Sequence, residues 1–382
     1  MKVLINALSA HQGGIVTYTR NLMESFDKQG IDAVFALPEN SPLPERPQDM
    51  RFPVQNMPGI TRAIWEQTFW SHVVKRHNPS VLYSSANFGL INSPIPQVLL
   101  IREAGLFDPL YLENVAPSFG VMAAMQRILR RQLISASAKS AQCIAVPTQS
   151  FKDLLTSNYD SLKDKVIVNH YGLPFIKFSA ARHARKWRND GVLRLLFVSE
   201  YYPHKQPGLL CEAVRILNER GIKTHVTLTA NIKNIEAVSG SSKDVDLLTR
   251  SEARGEASLI SHIPYDQLVE YYHSHDAFVS ASLSETFCHP LIEAMYSGLI
   301  VVSSDLPVAK EVCGENAEFF DGLRTRSLVE SILKLDNDPE YREQLRENGI
   351  AFSRDNYDWD EHVNCLLDIF ENTIAAGRLR AA

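Results

Sequence analysis

The sequence predicts an α/β protein built from two domains with parallel sheets. Its 382 residues exceed what one hydrophobic core usually organises, so two domains of roughly 150–200 residues are expected. Short apolar runs alternate with segments of helical periodicity, which is the pattern of β-α-β units and parallel sheets. The hydrophobic fraction of 45% and the charged fraction of 22% are those of an ordinary globular chain.

The first half of the chain begins with a buried strand, predicted at Val3–Ile5. A Gly-Gly turn follows, and the amphipathic segment Val16–Phe26 predicts a helix. A longer helix is expected at about 118–139, where apolar residues recur at helical spacing. Other apolar runs predict the remaining buried strands: 81–84, 97–101, 143–147 and 166–169.

The second half repeats this rhythm without a close internal sequence repeat. A strand at 195–198 precedes a helix at 206–219. We predict loops at the polar stretch 232–257 and at the basic stretch Arg182–Arg188. The later strands are predicted at 225–229, 277–280 and 299–303.

Turn residues at Gly172–Pro174 mark the predicted domain boundary. From Trp359 onward, one apolar face at helical spacing predicts a docking helix. The predicted organisation has three parts: a first domain at 1–172, a second at 173–357 and the closing segment 358–382.

Composition excludes several classes of protein. The net charge of −5 does not favour nucleic acid as a partner, and the cysteines lack CxxC spacing, which argues against a zinc site or a disulfide framework. The odd cysteine count fits a reducing cytoplasm. The apolar start of the chain is too short for a signal peptide, and no apolar run reaches about 18 residues. We expect a cytoplasmic protein that lies on a membrane, if it meets one, without spanning it.

The strongest chemical signal is SLSETFCHPLIEAMYSGLIVVSSD at 282–305. Glu285 and Glu293 lie eight positions apart after a predicted strand, and Pro290 suits the start of a helix. A strand, a loop and a helix start place free amides at the carboxyl edge of a sheet, where α/β folds bind anionic ligands. Carboxylates beside it can accept hydrogen bonds from sugar hydroxyls. Taken alone, both glutamates could equally be surface or capping residues.

This run resembles the donor-site motif of glycosyltransferase family 4, in which two glutamates enclose seven residues that include Phe and Pro. The resemblance implies that Glu285 lies against the donor sugar and that Glu293 holds the nucleotide ribose. It also implies a loop whose backbone amides meet the sugar and the phosphates: Thr286, Phe287, Cys288 and His289.

A second match to the family covers LLFVSEYYPHKQPGLLCEAV at 195–214. Lys205 matches a lysine that grips the diphosphate, although a solvated loop lysine is the alternative. Where the family often has Gly-Arg, this chain has Ser199 and Glu200, and a carboxylate cannot bind diphosphate directly. Either another cation substitutes, or Glu200 turns away. His204 is a weaker candidate that could merely shape the turn.

Near the amino terminus, Gly13 and Gly14 follow the first strand and open a helix. They match the Gly-Gly loop that in the family faces the donor phosphates, with a plain tight turn as the alternative. Arg102 stands where many members have a catalytic histidine. It could support the leaving phosphate or form a structural salt bridge.

Two helical stretches combine basic and apolar residues, at Arg62–His77 and at 118–139. They fit either an anionic bilayer or acceptor surface, or a helix whose apolar side faces the core. The chain has no HxxxH-type cluster and no Asp-x-Asp, so no metal or other cofactor is expected; the nucleotide sugar is a substrate. Helix ends and Lys205 would then neutralise the diphosphate.

The resemblance implies the GT-B fold, with two facing Rossmann-like domains and a closing helix that crosses back to the first. It implies a retaining transfer of a hexose from a nucleotide sugar, with GDP-mannose slightly favoured over a UDP-sugar, to a saccharide or lipid-linked acceptor in bacterial surface polysaccharide synthesis. The alternatives are an inactive GT-B binding or scaffold subunit and a sugar-nucleotide epimerase, for which no acid and base residues can be identified.

Overall fold

A computed structural model describes residues 1–11, 13–173, 185–265 and 267–381. Within this part the chain forms two compact units. The first contains Met1–Glu103, Met125–His170 and the segment from Asp360, and the second contains Ala104–Ala124 and Tyr171–Trp359.

Thirteen strands are present in the described residues. They are β1 (Lys2–Asn6), β2 (Asp32–Pro38), β3 (Met50–Phe52), β4 (Val81–Ser84), β5 (Gln97–Leu100), β6 (Cys143–Val146), β7 (Val166–Val168), β8 (Leu193–Phe197), β9 (Thr224–Thr229), β10 (Ala257–Ile260), β11 (Ala277–Ser280), β12 (Ile300–Ser304) and β13 (Glu318–Phe320).

The α-helices alternate with these strands, and a single π-helical turn at Glu66–Trp70 joins the second helix to the third. They are α1 (Gly14–Lys28), α2 (Gly59–Trp65), α3 (Ser71–His77), α4 (Pro109–Asn114), α5 (Gly120–Ser140), α6 (Gln149–Asn158), α7 (Pro207–Glu219), α8 (Ile232–Glu236), α9 (Ser242–Ala253), α10 (Leu268–Ser274), α11 (His289–Tyr296), α12 (Pro307–Cys313), α13 (Thr325–Asn337), α14 (Pro339–Asn356) and α15 (Trp359–Ala381).

Each unit contains one parallel sheet. The first has the order β3-β2-β1-β4-β5-β6-β7 and the second the order β10-β9-β8-β11-β12-β13. The direction of strand addition reverses between β1 and β4 in one sheet and between β8 and β11 in the other. At such a switch point the two loops leave on opposite sides and open a crevice, which is where α/β folds bind ligands. The predicted α/β class with parallel sheets is confirmed.

The strands are apolar along their whole length because helices cover both faces of a parallel sheet. Val3, Leu4 and Ile5 are all fully buried in β1, and in the second unit Val279 and Val302 are fully buried in neighbouring strands. This is why short continuous apolar runs located these strands in the sequence.

From Asp360 onward, the closing helix α15 belongs to the first unit. Leu366 and Phe370 are fully buried, and the Phe370 ring lies 5.3 Å from that of Tyr83. His362 is also buried: its Nδ1 lies 2.8 Å from the carbonyl oxygen of His170, and its Nε2 lies 3.3 Å from the hydroxyl of Tyr18. The helix is therefore held by an apolar face and by a polar anchor at its first turns.

The prediction of a loop throughout 232–257 is wrong. This stretch forms α8 and α9 and begins β10. Its mean polarity hid a narrow apolar side, since in α9 only Leu248 and Ser251 are buried while the other face is charged. A helix that buries so few side chains needs no wider apolar stripe.

The basic stretch Arg182–Arg188 is described only from Arg185 onward. There the backbone is irregular, in line with the predicted loop. Arg185 donates to the buried carboxylate of Asp276 over 3.1 Å, and so fastens this loop to the start of β11.

The two helical stretches with basic and apolar residues differ in exposure. In the stretch Arg62–His77, Trp70 and Val74 are fully buried, as expected for a helix that faces the core, whereas Phe69 is 50% exposed. In α5 the apolar residues of the first half lie on the surface. A core-facing arrangement is therefore wrong for that half of α5.

Two segments of the second unit run side by side at Gly172. The amide of Leu173 donates to the carbonyl oxygen of Tyr357 over 2.8 Å. A Cβ atom added at Gly172 would lie 2.5 Å from the Cα of Trp359 and equally close to the carbonyl carbon of Asp358. Only a glycine allows this approach of two backbones.

We predict that Gly172→Ala lowers the free energy of unfolding by about 1–3 kcal/mol, because the two backbones must separate to admit the methyl group. Urea unfolding followed by circular dichroism measures the effect. The matched control is Gly59→Ala, since a Cβ at Gly59 meets no atom within 4 Å. Equal stability of the two variants would contradict the proposed backbone contact.

Candidate functional site

Two loops meet at the switch point of the second sheet. One runs from β8 to α7, and the other runs from β11 to α11. Their strands are direct neighbours, with Leu195 opposite Ala277. Each loop ends at a helix start, where the first amides have no acceptor within the helix. The local geometry is therefore that of a site for an anionic ligand.

Lys205 and Glu285 form an ion pair between these loops. The ammonium of Lys205 contacts Oε1 of Glu285, which also accepts a hydrogen bond of 2.7 Å from the hydroxyl of Ser282. Only 16% of the Lys205 side chain and 13% of the Glu285 side chain are exposed. The structure thus brings together two of the predicted site residues, and it adds Ser282, which lies three positions before Glu285.

Both partners of this pair are charged. Burial would raise the pKa of Glu285, but Lys205, His204 and the bond from Ser282 outweigh it, so the pKa lies below its ordinary value. Burial likewise opposes the charge of Lys205, and Glu285 outweighs it and raises the lysine pKa. Each charge is therefore maintained by the other.

Further hydrogen bonds fix the two loops together. The amide of Leu283 donates to the carbonyl oxygen of His204 over 2.8 Å. The side-chain amide of Gln206 donates to the carbonyl oxygens of Ala281 and Gly322, each over 2.8 Å. Gln206 itself has a left-handed backbone, with φ 51°. It was not identified from the sequence, since a lone glutamine before a helix gives no signal.

His204 has an aromatic environment. Its ring lies edge-on to Tyr111 at 5.6 Å and stacks on Tyr202, also at 5.6 Å. Burial lowers its pKa to about 4, with the charge of Lys205 acting in the same direction. His204 is neutral at physiological pH. Its carbonyl oxygen and its ring brace the loop, in agreement with the sequence-based view that it shapes the turn.

Glu293 lies inside α11, not at its start. It is the fifth residue of the helix, is only 5% exposed, and accepts a hydrogen bond of 2.8 Å from the hydroxyl of Tyr272. Burial raises its pKa to about 7, although the bond from Tyr272 opposes the shift. Tyr272 lies in another helix, α10, and no local pattern of residues marks it as a partner of Glu293.

The loop before α11 has a buried anchor. Phe287 is 1% exposed and packs edge-on against Tyr171 at 5.2 Å, while the ring of His289 stacks on Tyr171 at 4.9 Å. The side chain of Phe287 is thereby turned inward and fixes the loop at the start of α11. Thr286 is half-buried. Cys288 has φ 70°, a strained conformation for a non-glycine residue of the kind that clusters at functional sites.

Gly13, Gly14 and Arg102 lie in the first unit. Gly13 has φ 68° and ψ −163°, a conformation essentially restricted to glycine, and it directly precedes α1. This backbone conformation requires a glycine at position 13 whether or not a ligand binds there. The amide of Arg102 donates to the side chain of Asn87 over 2.7 Å.

Glu103, the neighbour of Arg102, forms a salt bridge with Arg130. Oε2 of Glu103 accepts hydrogen bonds from Nε and Nη2 of Arg130, over 2.9 and 2.7 Å. In the second unit the side chain of Glu200 is exposed, while its carbonyl oxygen accepts from Ser199 over 2.8 Å. Glu200 points into solvent and therefore adds no buried negative charge to the site. Lys205 is the cationic side chain of the two loops.

A cavity of about 350 Å³ lies at the same edge of the second sheet, beside Leu283, Asp305 and Asp321. A larger one of about 600 Å³ lies at the opposite, amino-terminal edge, beside Arg194 and Lys223. No residue predicted from the sequence lines the larger cavity.

Within the described ranges, no group of three or more His, Cys, Asp and Glu side chains is arranged to hold a metal ion. No helix in the described part of the chain is both long enough and apolar enough to cross a bilayer.

Comparison with known proteins agrees with this geometry. Residues 180–352 match the family model of glycosyl transferases group 1. A D-inositol 3-phosphate glycosyltransferase of Salinispora tropica is 26% identical over 244 residues, which cover 59% of this chain and 50% of the relative. The match thus spans about half the length of that relative. The match to the family model lies within the second unit.

Solved structures resemble nearly the whole chain. Sucrose-phosphate synthase from Thermosynechococcus elongatus has a TM-score of 0.77 at 14% identity and covers 98% of this chain and 100% of its own. HepE of Anabaena, solved with UDP and glucose, has a TM-score of 0.73 at 14% identity, covering 97% and 99%. A trehalose 6-phosphate synthase from Burkholderia multivorans has 0.73 at 11%, covering 100% and 98%. The expected GT-B fold is confirmed.

We predict that breaking the ion pair on one side is costlier than removing it. Lys205→Met and Glu285→Leu should each lower the free energy of unfolding by about 3 kcal/mol, because each leaves a buried charge without its partner. The double variant should regain most of this loss. A double-mutant cycle by urea unfolding measures the coupling, and additive losses would contradict a buried pair.

We predict a pH-dependent stability difference between the wild type and Glu293→Gln. A carboxyl whose pKa is raised from 4.5 to about 7 on folding destabilises the protein only where it must ionise. That penalty is absent below about pH 4.5 and complete above about pH 7, where it is on the order of 3 kcal/mol. The stability of the wild type relative to the variant should therefore fall as the pH rises from about 4.5 to about 7.

Urea unfolding at several pH values tests this, with Glu347→Gln, an exposed glutamate of α14, as the control. A difference that is flat between pH 4.5 and 7 would show that Glu293 titrates normally.

Proposed function

We propose that this protein is a glycosyltransferase that moves a hexose from a nucleotide diphosphate sugar to a saccharide or lipid-linked acceptor. The main support is the buried pair of Lys205 and Glu285 at the switch point of a sheet whose sequence matches group 1 glycosyltransferases. A cation, a carboxylate and a helix start at one edge suit a ligand that carries both phosphates and hydroxyls.

The proposed roles are those that the resemblance to glycosyltransferase family 4 implies, and the ion pair of Lys205 and Glu285 supports them. Lys205 binds the diphosphate, Glu285 orients the donor sugar and Glu293 holds the ribose. The amides of 286–289 contribute hydrogen bonds at the start of α11. Gly13 and Gly14 are further proposed donor contacts, and Arg102 is the proposed substitute for the histidine of many family 4 members.

Donor binding changes the partner of Lys205 in this account. In the absence of donor, Glu285 neutralises the buried ammonium. A diphosphate carries more charge than a carboxylate and competes for the same ammonium. Once Lys205 turns to the phosphate, Glu285 is free to accept hydrogen bonds from the sugar. The pair thus keeps Lys205 and Glu285 charged until the donor binds. The donor then replaces the contact between them with one contact to each.

The proposed transfer retains the anomeric configuration and needs no metal. The sugar–phosphate bond breaks through an oxocarbenium-like state, the acceptor hydroxyl attacks from the same face, and its proton passes to the departing diphosphate. Lys205 and the start of α11 stabilise the negative charge on the departing diphosphate, and Glu285 positions the sugar without acting as a nucleophile.

The donor is proposed to be GDP-mannose or a UDP-sugar. GDP-mannose is the preference from the sequence segments Trp65–Gln67 and Tyr202–Lys205. UDP-glucose is the second candidate, supported by the likeness of this chain to HepE, which was solved with UDP and glucose. For the acceptor we propose a saccharide on a lipid carrier, as in bacterial surface polysaccharide synthesis, with the protein in the cytoplasm and in peripheral contact with the inner membrane face.

We predict that one nucleotide sugar raises the melting temperature with EDTA present and is slowly hydrolysed. Lys205→Met should weaken donor binding about tenfold to a hundredfold, since it removes a charge-assisted bond to phosphate. Glu293→Ala should lose the donor-induced rise in melting temperature, because it removes the proposed contact with the ribose. A thermal-shift and hydrolysis screen of UDP- and GDP-sugars makes the measurement.

Glu347→Gln serves as the control and should respond as the wild type does. A response that needs added divalent metal would contradict the metal-independent proposal. Donor binding without transfer to any acceptor would favour an inactive binding subunit, and no response to any donor would overturn the proposed function.

A further inference from the structure

The helical segment from α2 to α3 turns large apolar side chains toward solvent. Ile64 is 61% exposed and Phe69 is 50% exposed. Trp65 is half-buried, and its ring lies 5.3 Å from that of Phe69. By contrast, Trp70 and Val74 are fully buried in the core of the first unit. The segment is therefore apolar on its outer side as well as on its inner side.

The π-helical turn at Glu66–Trp70 gathers the exposed side chains on one face. Each hydrogen bond of a π-helical turn spans five residues, so residues four and five positions apart lie on the same side. Ile64 and Trp65 precede Phe69 by five and four positions. Apolar side chains scattered singly over a surface need no explanation, whereas a contiguous group marks an interaction surface. We call these three side chains the Phe69 surface.

Two cations extend this face. Arg76 lies seven positions, or two helical turns, after Phe69, and Lys75 precedes it. Both are exposed, and neither side chain has a hydrogen bond or an ion pair within the described residues. A helix end favours cations, but the carbonyl oxygen of His77 at that end accepts from Lys2 over 3.2 Å. Lys75 and Arg76 therefore leave their charge to solvent.

The acidic groups beside this face have cationic neighbours. Glu66 is the one acidic residue in the sequence from 59 to 77, and it accepts from Arg62 over 2.8 Å. The ring of Phe52 packs on the Phe69 surface, and its carbonyl oxygen accepts from the amide of Glu39. The charge of Glu39 is balanced by Arg51, which donates to its carbonyl oxygen over 3.3 Å. The face thus combines apolar groups with a net positive charge.

We propose that the Phe69 surface docks this protein on an anionic lipid bilayer, with Ile64 and Phe69 in the headgroup layer and Arg76 among the anionic headgroups. An apolar face that carries aromatic residues and free cations is typical of helices that lie in a membrane interface. The surface is inferred from its own residues, while its purpose, to hold the enzyme beside a lipid-linked acceptor, rests on the proposed function.

A saccharide or a second copy of the chain fits this face less well. Sites for small ligands are concave, whereas the outer side of a helix is convex. A twofold contact would set two faces of the same positive charge against each other, which is unfavourable. Anionic headgroups instead neutralise Lys75 and Arg76. Shape and charge therefore both favour the bilayer.

Vesicle co-sedimentation tests the proposal with the full chain. The wild type should bind vesicles of phosphatidylcholine mixed with phosphatidylglycerol, and should bind pure phosphatidylcholine weakly. The double variant Ile64→Gln/Phe69→Gln should lower partitioning about tenfold or more, since it removes two inserted side chains. Arg76→Gln should lower it about fivefold on the anionic vesicles only.

Brominated phosphatidylcholine in the anionic vesicles locates the contact, because bromine quenches tryptophan fluorescence at short range. Vesicles should quench the wild type, since Trp65 lies against the inserted Phe69. The quenching should be lost in Trp65→Phe. Quenching that persists in this variant would place another surface against the bilayer and contradict the proposal.

Ile167→Gln is the control. Ile167 is 41% exposed and lies on β7, at the opposite edge of the first sheet from β3, the strand that contains Phe52. This variant should bind vesicles as the wild type does. Ile64, Phe69 and Arg76 are exposed, so their replacement should leave the melting temperature unchanged.

No binding of the wild type to anionic vesicles, or equal binding by the double variant, would overturn the proposal. So would a dimer in light scattering that the double variant abolishes. The donor screen gives a separate answer, because variants of the Phe69 surface should keep the donor-induced shift in melting temperature. Failure of that screen concerns the proposed function alone.

Discussion

The buried ion pair of Lys205 and Glu285 is the constraint on which the site depends. A charged side chain that is this deeply buried is tolerated only beside a side chain of opposite charge. The two loops must therefore approach each other closely. The bonds of Gln206 to the carbonyl oxygens of Ala281 and Gly322 hold them in that position. The sheet contributes the rest, since β8 and β11 are neighbours whose chain connections leave on opposite sides.

The two glutamates of the motif are eight positions apart in sequence and have opposite environments. Lys205 and Ser282 keep Glu285 ionised, whereas Glu293 is buried with the hydroxyl of Tyr272 and has a pKa of about 7. Carboxyl groups whose surroundings push their pKa values apart are typical of sites that divide roles between similar residues. Here one is a permanent anion beside a cation, and the other is a group whose charge depends on what it binds.

Much of this architecture could be predicted from local sequence. Buried parallel strands such as β4 and β11 are short apolar runs, and Glu285 and Lys205 could be found because the segments around them resemble the donor-site motifs of glycosyltransferase family 4. Tyr272 and Gln206 could not, because their partners come from other elements and no local pattern marks them. Periodicity showed that α5 has an apolar face, but its exposure depends on what the fold places against it. The helix α9 was missed because packing on one side needs few apolar residues.

A crystal structure of the protein with UDP or GDP bound would show whether the two loops form the donor site. We expect the diphosphate at the start of α11, with an oxygen within hydrogen-bond distance of the Lys205 ammonium, and the ribose beside Glu293. In that complex Lys205 should have left Glu285 or should bridge both groups. A nucleotide bound at the opposite edge of the sheet, or one bound while Lys205 remains directed only at Glu285, would contradict it.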